Sequence, residues 1–391
     1  MKKNFLYLTI LLMMGCAQHT PPVSSLAPPE EEIFPLDKEI LHGKLSNGLE
    51  YFIKKNAKPD NRVNINLAIK VGSLQDPEGM QGLAHYVEHM AFNGTKNFPE
   101  NKVIKDMEAL GMAFGQHTNA ETGFDRTLYK LTVPSDDNEN IDKALSILKD
   151  WSENISFDKD EVLKEQGVVL EEWRRRRLGV GARSQQVRFD HLLKGSRYLE
   201  RIPIGSEETI KNITRDELII FYKKWYQPQN MAIIVVGDIE PIQLEKLITN
   251  KFSSLRPVEK IAHAQYEIPL IEQQDIINFD DAEISTGISI YFHFTEQKRI
   301  RNKTGWRFNL NRDLFCLMFN QRANEIALSK DAPFIAAGAM GISLPDGHEG
   351  VAFAVSAKNS DFKSAYLKIQ LLAKQINKYG FSDAELTRVK K

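Results

Sequence analysis

The chain has 391 residues, 42% of them apolar and 26% charged, and its 51 basic side chains against 52 acidic ones leave a formal net charge of −1. That length exceeds one ordinary domain and points to two or three. So even a charge balance gives no reason to expect nucleic acid or any strongly charged partner.

Met1-Lys2-Lys3 is a short basic start, and Phe5 to Met14 is apolar apart from Thr9. An apolar run of about ten residues is half of what a membrane-spanning helix needs, but it fits an export signal. It ends in Met13-Met14-Gly15-Cys16, which resembles a bacterial lipobox, where the cysteine is lipidated and becomes the first residue of the mature protein. Residues 1–16 are therefore expected to be a lipoprotein-type signal. Cys16 is the expected lipid anchor, and the protein is expected in the bacterial cell envelope, facing the periplasm or on the surface. An ordinary cleaved signal with an incidental cysteine predicts the same side of the membrane. Residues 17–37 are rich in Pro, Ser and Glu and read as a flexible tether. The other cysteine, Cys316, sits in an apolar helical pattern and is expected in the core. An exported chain without an internal disulfide must rely on a large core or a metal.

A folded unit is expected over 38–258. "LEYFIKKN" and "RVNINLAIKVGS" read as strands. Helical patterns follow at about 81–93, 99–110 and 138–155, with the strand "RTLYKLTVP" between the last two. Further helices are expected at about 158–178 and 215–226, then a buried strand "NMAIIVVGDI" and a helix "PIQLEKLITNKF". Arg174 to Arg177 read as a solvated helix end, favourable to the helix dipole, and Gly179-Val180-Gly181 as a loop or helix stop. A second unit is expected over 259–391, with strands in "IINFDDAEISTGISIYFHF" and "GVAFAVSAKN" and helices at about 307–328 and 361–379. The fold class is α/β (α+β), two similar sheet-and-helix sandwiches. The second is expected to be incomplete, because the Ser382-to-Glu385 capping box opens a helix just before Lys391.

The chemistry concentrates in "GLAHYVEHMAFNGT", whose centre is His85-Tyr86-Val87-Glu88-His89. At about 100° per residue, the two histidines lie about 40° apart on one helix face, with Glu88 beside them. Two imidazoles on adjacent turns can hold one metal ion, and a neighbouring carboxylate can reach a water at that ion. Leu83, Val87, Met90 and Ala91 supply an apolar face, and Asn93-Gly94 a stop. This H-x-x-E-H order is the inverse of the commoner zinc-peptidase motif. A third ligand is needed, and no third histidine lies near. In "FDKDEVLKEQGVVLEEWRRRRLG", Asp158 and Glu161 mark a helix start. Glu165 and Glu172 lie about 20° apart on one face, bordering Val162, Val168 and Val169, an apolar stripe expected to point inward. A carboxylate on such a face is costly unless paired or metal-bound. Glu172 is therefore the expected ligand and Glu165 the carboxylate that orients a ligand histidine. Glu171 falls nearer solvent.

Together with "KEQGVVLEEW" and "TNAETGFDRTLYKLTVP", the motif resembles the pitrilysin/insulinase family of zinc metallopeptidases. The likeness is strong over 38–258 and weak beyond, and Glu172 follows His89 by 83 residues, a family-typical spacing. The resemblance implies one Zn2+ per active site on His85, His89 and Glu172, Glu88 as general base and Glu165 in support. It also implies a strand edge, here Asn119, Ala120, Glu121 and Thr122, on which an extended peptide lies. Glu121 and Gly123 depart from the family pattern at that edge. The implied architecture is two halves enclosing a chamber, so that a C-terminal half of the same polypeptide, or an equivalent partner subunit, completes the enzyme. The expected function is zinc-dependent endopeptidase action on unfolded peptides or small proteins in the envelope. The alternatives are a non-catalytic scaffold or partner subunit of a peptidase complex, and a metal-binding surface lipoprotein. His117 reads as a polar strand-end residue close to the substrate segment, and His191, His263, His293 and His348 have no partner spacing.

Overall fold

The structure, a computed structural model, describes residues 33–257 apart from 101 and 114, then 262–270, 281, 283, 288–298 and 302–390. The expected export signal, its anchor Cys16 and most of the tether lie outside the described residues.

The first unit opens with β1 (Ile40–Lys44), β2 (Glu50–Lys55) and β3 (Arg62–Ile69). Helices α1 (Leu83–Met90) and α2 (Lys102–Ala109) follow, then β4 (Thr118–Thr122), β5 (Thr127–Pro134) and α3 (Asn138–Glu153). A helical tract comes next: α4 (Lys159–Arg177), α5 (Val180–Leu192), α6 (Arg197–Glu200), α7 (Glu207–Asn212) and α8 (Arg215–Trp225). β6 (Met231–Gly237) and α9 (Pro241–Phe252) close the unit. The six strands form one sheet in the order β1-β2-β6-β3-β5-β4, leaving β4 on an edge. β2 and β6 run parallel and every other pair is antiparallel.

Strict alternation explains the layering. Val63, Ile65, Leu67 and Ile69 of β3 are fully buried, as are Tyr129, Leu131 and Val133 of β5 and Ile233 and Val235 of β6. Their neighbours Asn64, Asn66, Lys130 and Thr132 occupy the opposite face, which is only partly covered. One face is therefore apolar, and α1, α3, α8 and α9 bury it, with Trp151, Leu145, Leu148, Leu218 and Leu244 in the same core.

The second unit comprises β7 (Ile288–Lys298), α10 (Lys303–Ala327), β8 (Phe334–Ser343), β9 (His348–Ala357), α11 (Phe362–Tyr379) and α12 (Asp383–Val389). Its sheet has the order β7-β9-β8, all antiparallel. That arrangement matches β3-β5-β4 in the first sheet: strand, helix, edge strand, middle strand, then helices. Cys316 is buried in the core of this unit.

Two readings of the sequence need correction. Gly179-Val180-Gly181 is not a loop, because Gly179 caps α5 and the other two begin that helix. Val168 is 50% exposed, so of the three valines only Val162 and Val169 are buried, with Leu170 and Trp173 packing against the core beside them. α5 ties the units together. Arg183 grips Asp281 with two hydrogen bonds of 2.7 and 2.8 Å. Leu193, just beyond the helix, packs with Leu74, Tyr198 and Ile268 against Leu344, at the tip of the β8–β9 hairpin.

Candidate metal centre

The site is built on α1, and its start is firmly anchored. Gly82 caps the helix with φ +96°, a left-handed conformation that suits glycine. The Asp76 carboxylate accepts from the amides of Gly82 at 2.8 Å and Ala84 at 2.9 Å, satisfying donors that a helix start leaves free. The loop carrying Asp76 is held in turn by Arg197 and Arg201, both of which donate to its carbonyl oxygen. Arg201 is fully buried and also reaches Glu78. Farther along, the Tyr86 hydroxyl donates to the Val162 carbonyl of α4 at 2.5 Å, and the Trp151 indole donates to the Ala91 carbonyl at 2.7 Å. α1 is thereby locked against α4 on one side and α3 on the other.

α4 starts where the Asp158 carboxylate accepts from the Asp160 and Glu161 amides. Its inward face brings Glu165 and Glu172 to the histidines. Glu172 Oε2 lies 3.1 Å from His89 Nε2 and 3.7 Å from His85 Nε2. Glu88 Oε2 lies 4.0 Å from His85 Nε2. Among the described residues, His85, His89 and Glu172 are the set of side chains arranged to hold a metal ion, with donor atoms within 4.8 Å of one another.

Two imidazole nitrogens and a carboxylate oxygen are a donor set that suits zinc, and two ligands of one tetrahedral zinc ion lie about 3.3 Å apart. The distances of 3.1 and 3.7 Å bracket that value, so the residues fit the ion.

The electrostatics separate the two histidines. Burial and the neighbouring His89 push His85 down to about 3, so its ring is neutral. Its Nδ1 is buried without a hydrogen-bond partner among the described residues. Burial also pushes His89 down, but hydrogen bonds to Glu165 and Glu172 outweigh it and lift the ring to about 10. Glu165 Oε1 sits 2.7 Å from His89 Nδ1, and its other oxygen accepts from Asn93 Nδ2 at 2.5 Å. Burial raises the Glu172 carboxyl, yet His89, His85 and Arg176 together leave it at about 2, ionised. Burial lifts the Glu88 carboxyl above the ordinary carboxylate range, against the pull of His89 and of the Thr122 hydroxyl.

The segment proposed to receive substrate is placed beside this centre. β4 is the sheet edge, and it packs against α1. Asn119 and Glu121 point outward, and Glu121 pairs with Lys130 at 2.8 Å. Ala120 and Thr122 face inward, and Thr122 Oγ1 donates to Glu88 Oε2 at 3.0 Å. His117, just before β4, uses Nδ1 to accept from the Ala113 amide.

Three contacts escaped the sequence reading. Asn93 holds Glu165, Arg176 holds Glu172 with Nη2 at 2.6 Å from Oε1, and Asp76 holds the start of α1. Asn93 and Arg176 each follow a site residue by four positions, the second within the same helix, a spacing that could have flagged them.

Known proteins supply the context for this geometry. Residues 51–198 match the family profile described as Insulinase (Peptidase family M16), and residues 212–319 match Peptidase M16 inactive domain. "Probable zinc protease PqqL" of Escherichia coli (strain K12) is 35% identical over 360 residues, covering 91% of this chain and 38% of that protein. The protein of the same name in Haemophilus influenzae is 40% identical over 277 residues, covering 70% of this chain and 29% of that one. The chain thus spans well under half the length of these relatives. The crystal structure of "the first half of the periplasmic protease PqqL from Escherichia coli" superposes with a TM-score of 0.84 at 33% identity, covering 92% of this chain and 77% of that one. Pitrilysin, at 22% identity and a TM-score of 0.65, shares the fold.

Proposed function

The chain belongs to the insulinase family of peptidases, family M16, and from that membership we infer that it is a zinc-dependent peptidase cutting extended peptides. The observation that carries this reading is the convergence of His85, His89 and Glu172, with Glu88 beside them, at the end of an edge strand. His85, His89 and Glu172 are the proposed zinc ligands. When bound, zinc supplies a Lewis acid that polarises a peptide carbonyl and acidifies water.

The remaining steps belong to the chain itself. A peptide adds to β4 as a further strand, so that its backbone is recognised more than its side chains. Glu88, raised by burial and steered by Thr122, takes a proton from the attacking water. The water oxygen bonds to the carbonyl carbon, the C–N bond breaks, and Glu88 returns the proton to the leaving amine. Glu165 keeps His89 in one ring orientation, with Nδ1 turned outward and Nε2 toward the site.

An envelope location is supported by the basic-then-apolar N-terminus and by the periplasmic description of the Escherichia coli relative. Lipid attachment at Cys16 belongs to the same proposal. The proposed partners are the extended peptide and a second half, in the same polypeptide or as an equivalent subunit, that closes over the cleft.

The test is Glu88→Gln. It should keep zinc near one per chain and lower cleavage of an unstructured fluorogenic peptide by at least about a hundredfold. A variant that cleaves at the wild-type rate overturns the mechanism.

A further inference from the structure

The two oxygens of Glu172 serve different partners. Oε2 faces the imidazoles, at 3.1 and 3.7 Å, while Oε1 lies 2.6 Å from Nη2 of Arg176. The geometry points to Arg176 as a positioning residue for the metal centre, one that holds the outer oxygen of Glu172 and presents the inner one. This rests on the zinc reading above and adds a residue to it.

A glutamate carboxylate rotates easily about its last bond, and its two oxygens are equivalent until one is held. Arg176 removes that freedom. It stands four residues after Glu172 on the same helix, one turn away, where side chains meet. The guanidinium is always charged, and its ion pair with Oε1 draws that oxygen outward and favours the ionised carboxylate. The site then has a consistent pattern. His89 and Glu172, the two groups contributed toward each other by α1 and α4, each have an outer holder, Glu165 and Arg176. The neighbouring arginines differ. Arg174 turns to Glu171 at 3.5 Å, and Arg175 lies about 100° round the helix from Arg176. The Arg176 side chain is 62% exposed, so its removal opens no hole in the core.

The experiment measures the zinc dissociation constant of the full chain by competition with a chromophoric chelator, alongside the melting temperature of the metal-free protein. Arg176→Met keeps most of the aliphatic stem and removes the donors, and it should weaken zinc binding about tenfold. Arg175→Met should leave the constant unchanged, and Arg176→Lys should recover part of the loss. The metal-free melting temperature of Arg176→Met should equal that of the wild type. Unchanged zinc affinity in Arg176→Met overturns the proposal, as does a loss accompanied by lower metal-free stability. A wild-type chain that binds no zinc overturns the metal-centre reading itself, a separate outcome.

Discussion

Glu165 divides its carboxylate between His89, near the end of α1, and Asn93, just beyond it. Burial pushes this acid up, but the two bonds outweigh it and leave it below the ordinary carboxylate range. Glu165→Ala strands the His89 Nδ1–H in a mostly buried place, and zinc affinity should fall by about ten- to a hundredfold in a chelator titration. Asn93→Ala leaves the histidine bond intact and should cost less; equal losses in the two variants would refute that ranking. The gathering of His85, Glu88, His89 and Glu172 was legible because a helix converts spacing into angle, and the same arithmetic separates Glu172 from Glu171. Arg176 obeys that arithmetic as well, but within a run of four arginines it carries no mark that distinguishes it from a solvated helix end. Asp76 is illegible for a different reason: its partners are backbone amides reached across a loop, where side-chain type and spacing predict nothing.

α1 is a short helix whose position depends on that loop. Burial lifts the Asp76 carboxyl to about 7, against the amides of Ala84 and Gly82 and the charges of Arg201 and Arg197. The folded chain therefore holds this proton to higher pH than the unfolded chain, where an aspartic acid titrates near about 3.9. The associated stability is fully present below about 4 and is lost as pH rises through about 7, on the order of 1 kcal/mol per pH unit. Asp76→Asn resembles the protonated acid. In thermal melts from pH 4 to 8 the variant should gain on the wild type as pH rises, and a gap independent of pH would count against this account. Elements with strong periodicity were legible: α9 spans the expected "PIQLEKLITNKF" and α11 the expected range. β8 escaped because "FIAAGAMGIS" is made of small residues without clear alternation, so its pairing with β9 decides its conformation. α5 escaped because its two glycines look like helix breakers, whereas Gly179 is a cap and Gly181 lies in the first turn.

The three-stranded sheet of the second unit repeats the β3-β5-β4 order of the first, and among the described residues an apolar cluster joins the two units. Leu344, at the hairpin tip of the second sheet, is buried against Leu74, Leu193 and Tyr198 of the first unit. Leu344→Ala should remove about 2–5 kcal/mol from this junction. Calorimetry should then show the second unit melting at lower temperature than the first, while zinc affinity is kept; one transition displaced as a whole would show the units still coupled. The mixed sheet-and-helix class and the likeness of the two units could be read from the order of periodic segments. Their junction could not, since it joins a loop, a short helix and a hairpin tip distant in sequence. The edge strand β4 has a last consequence. Its inward residue Thr122 grips Glu88, so the strand and the acid keep a fixed offset. Backbone pairing along an antiparallel edge repeats every two residues, and a slip of one turns every side chain to the opposite face. In the proposed binding mode the cleft is thus a fixed gauge: each register in which a peptide pairs with β4 brings one bond to the acid, and a slip of one residue brings the next bond there with its side chains exchanged between the two faces.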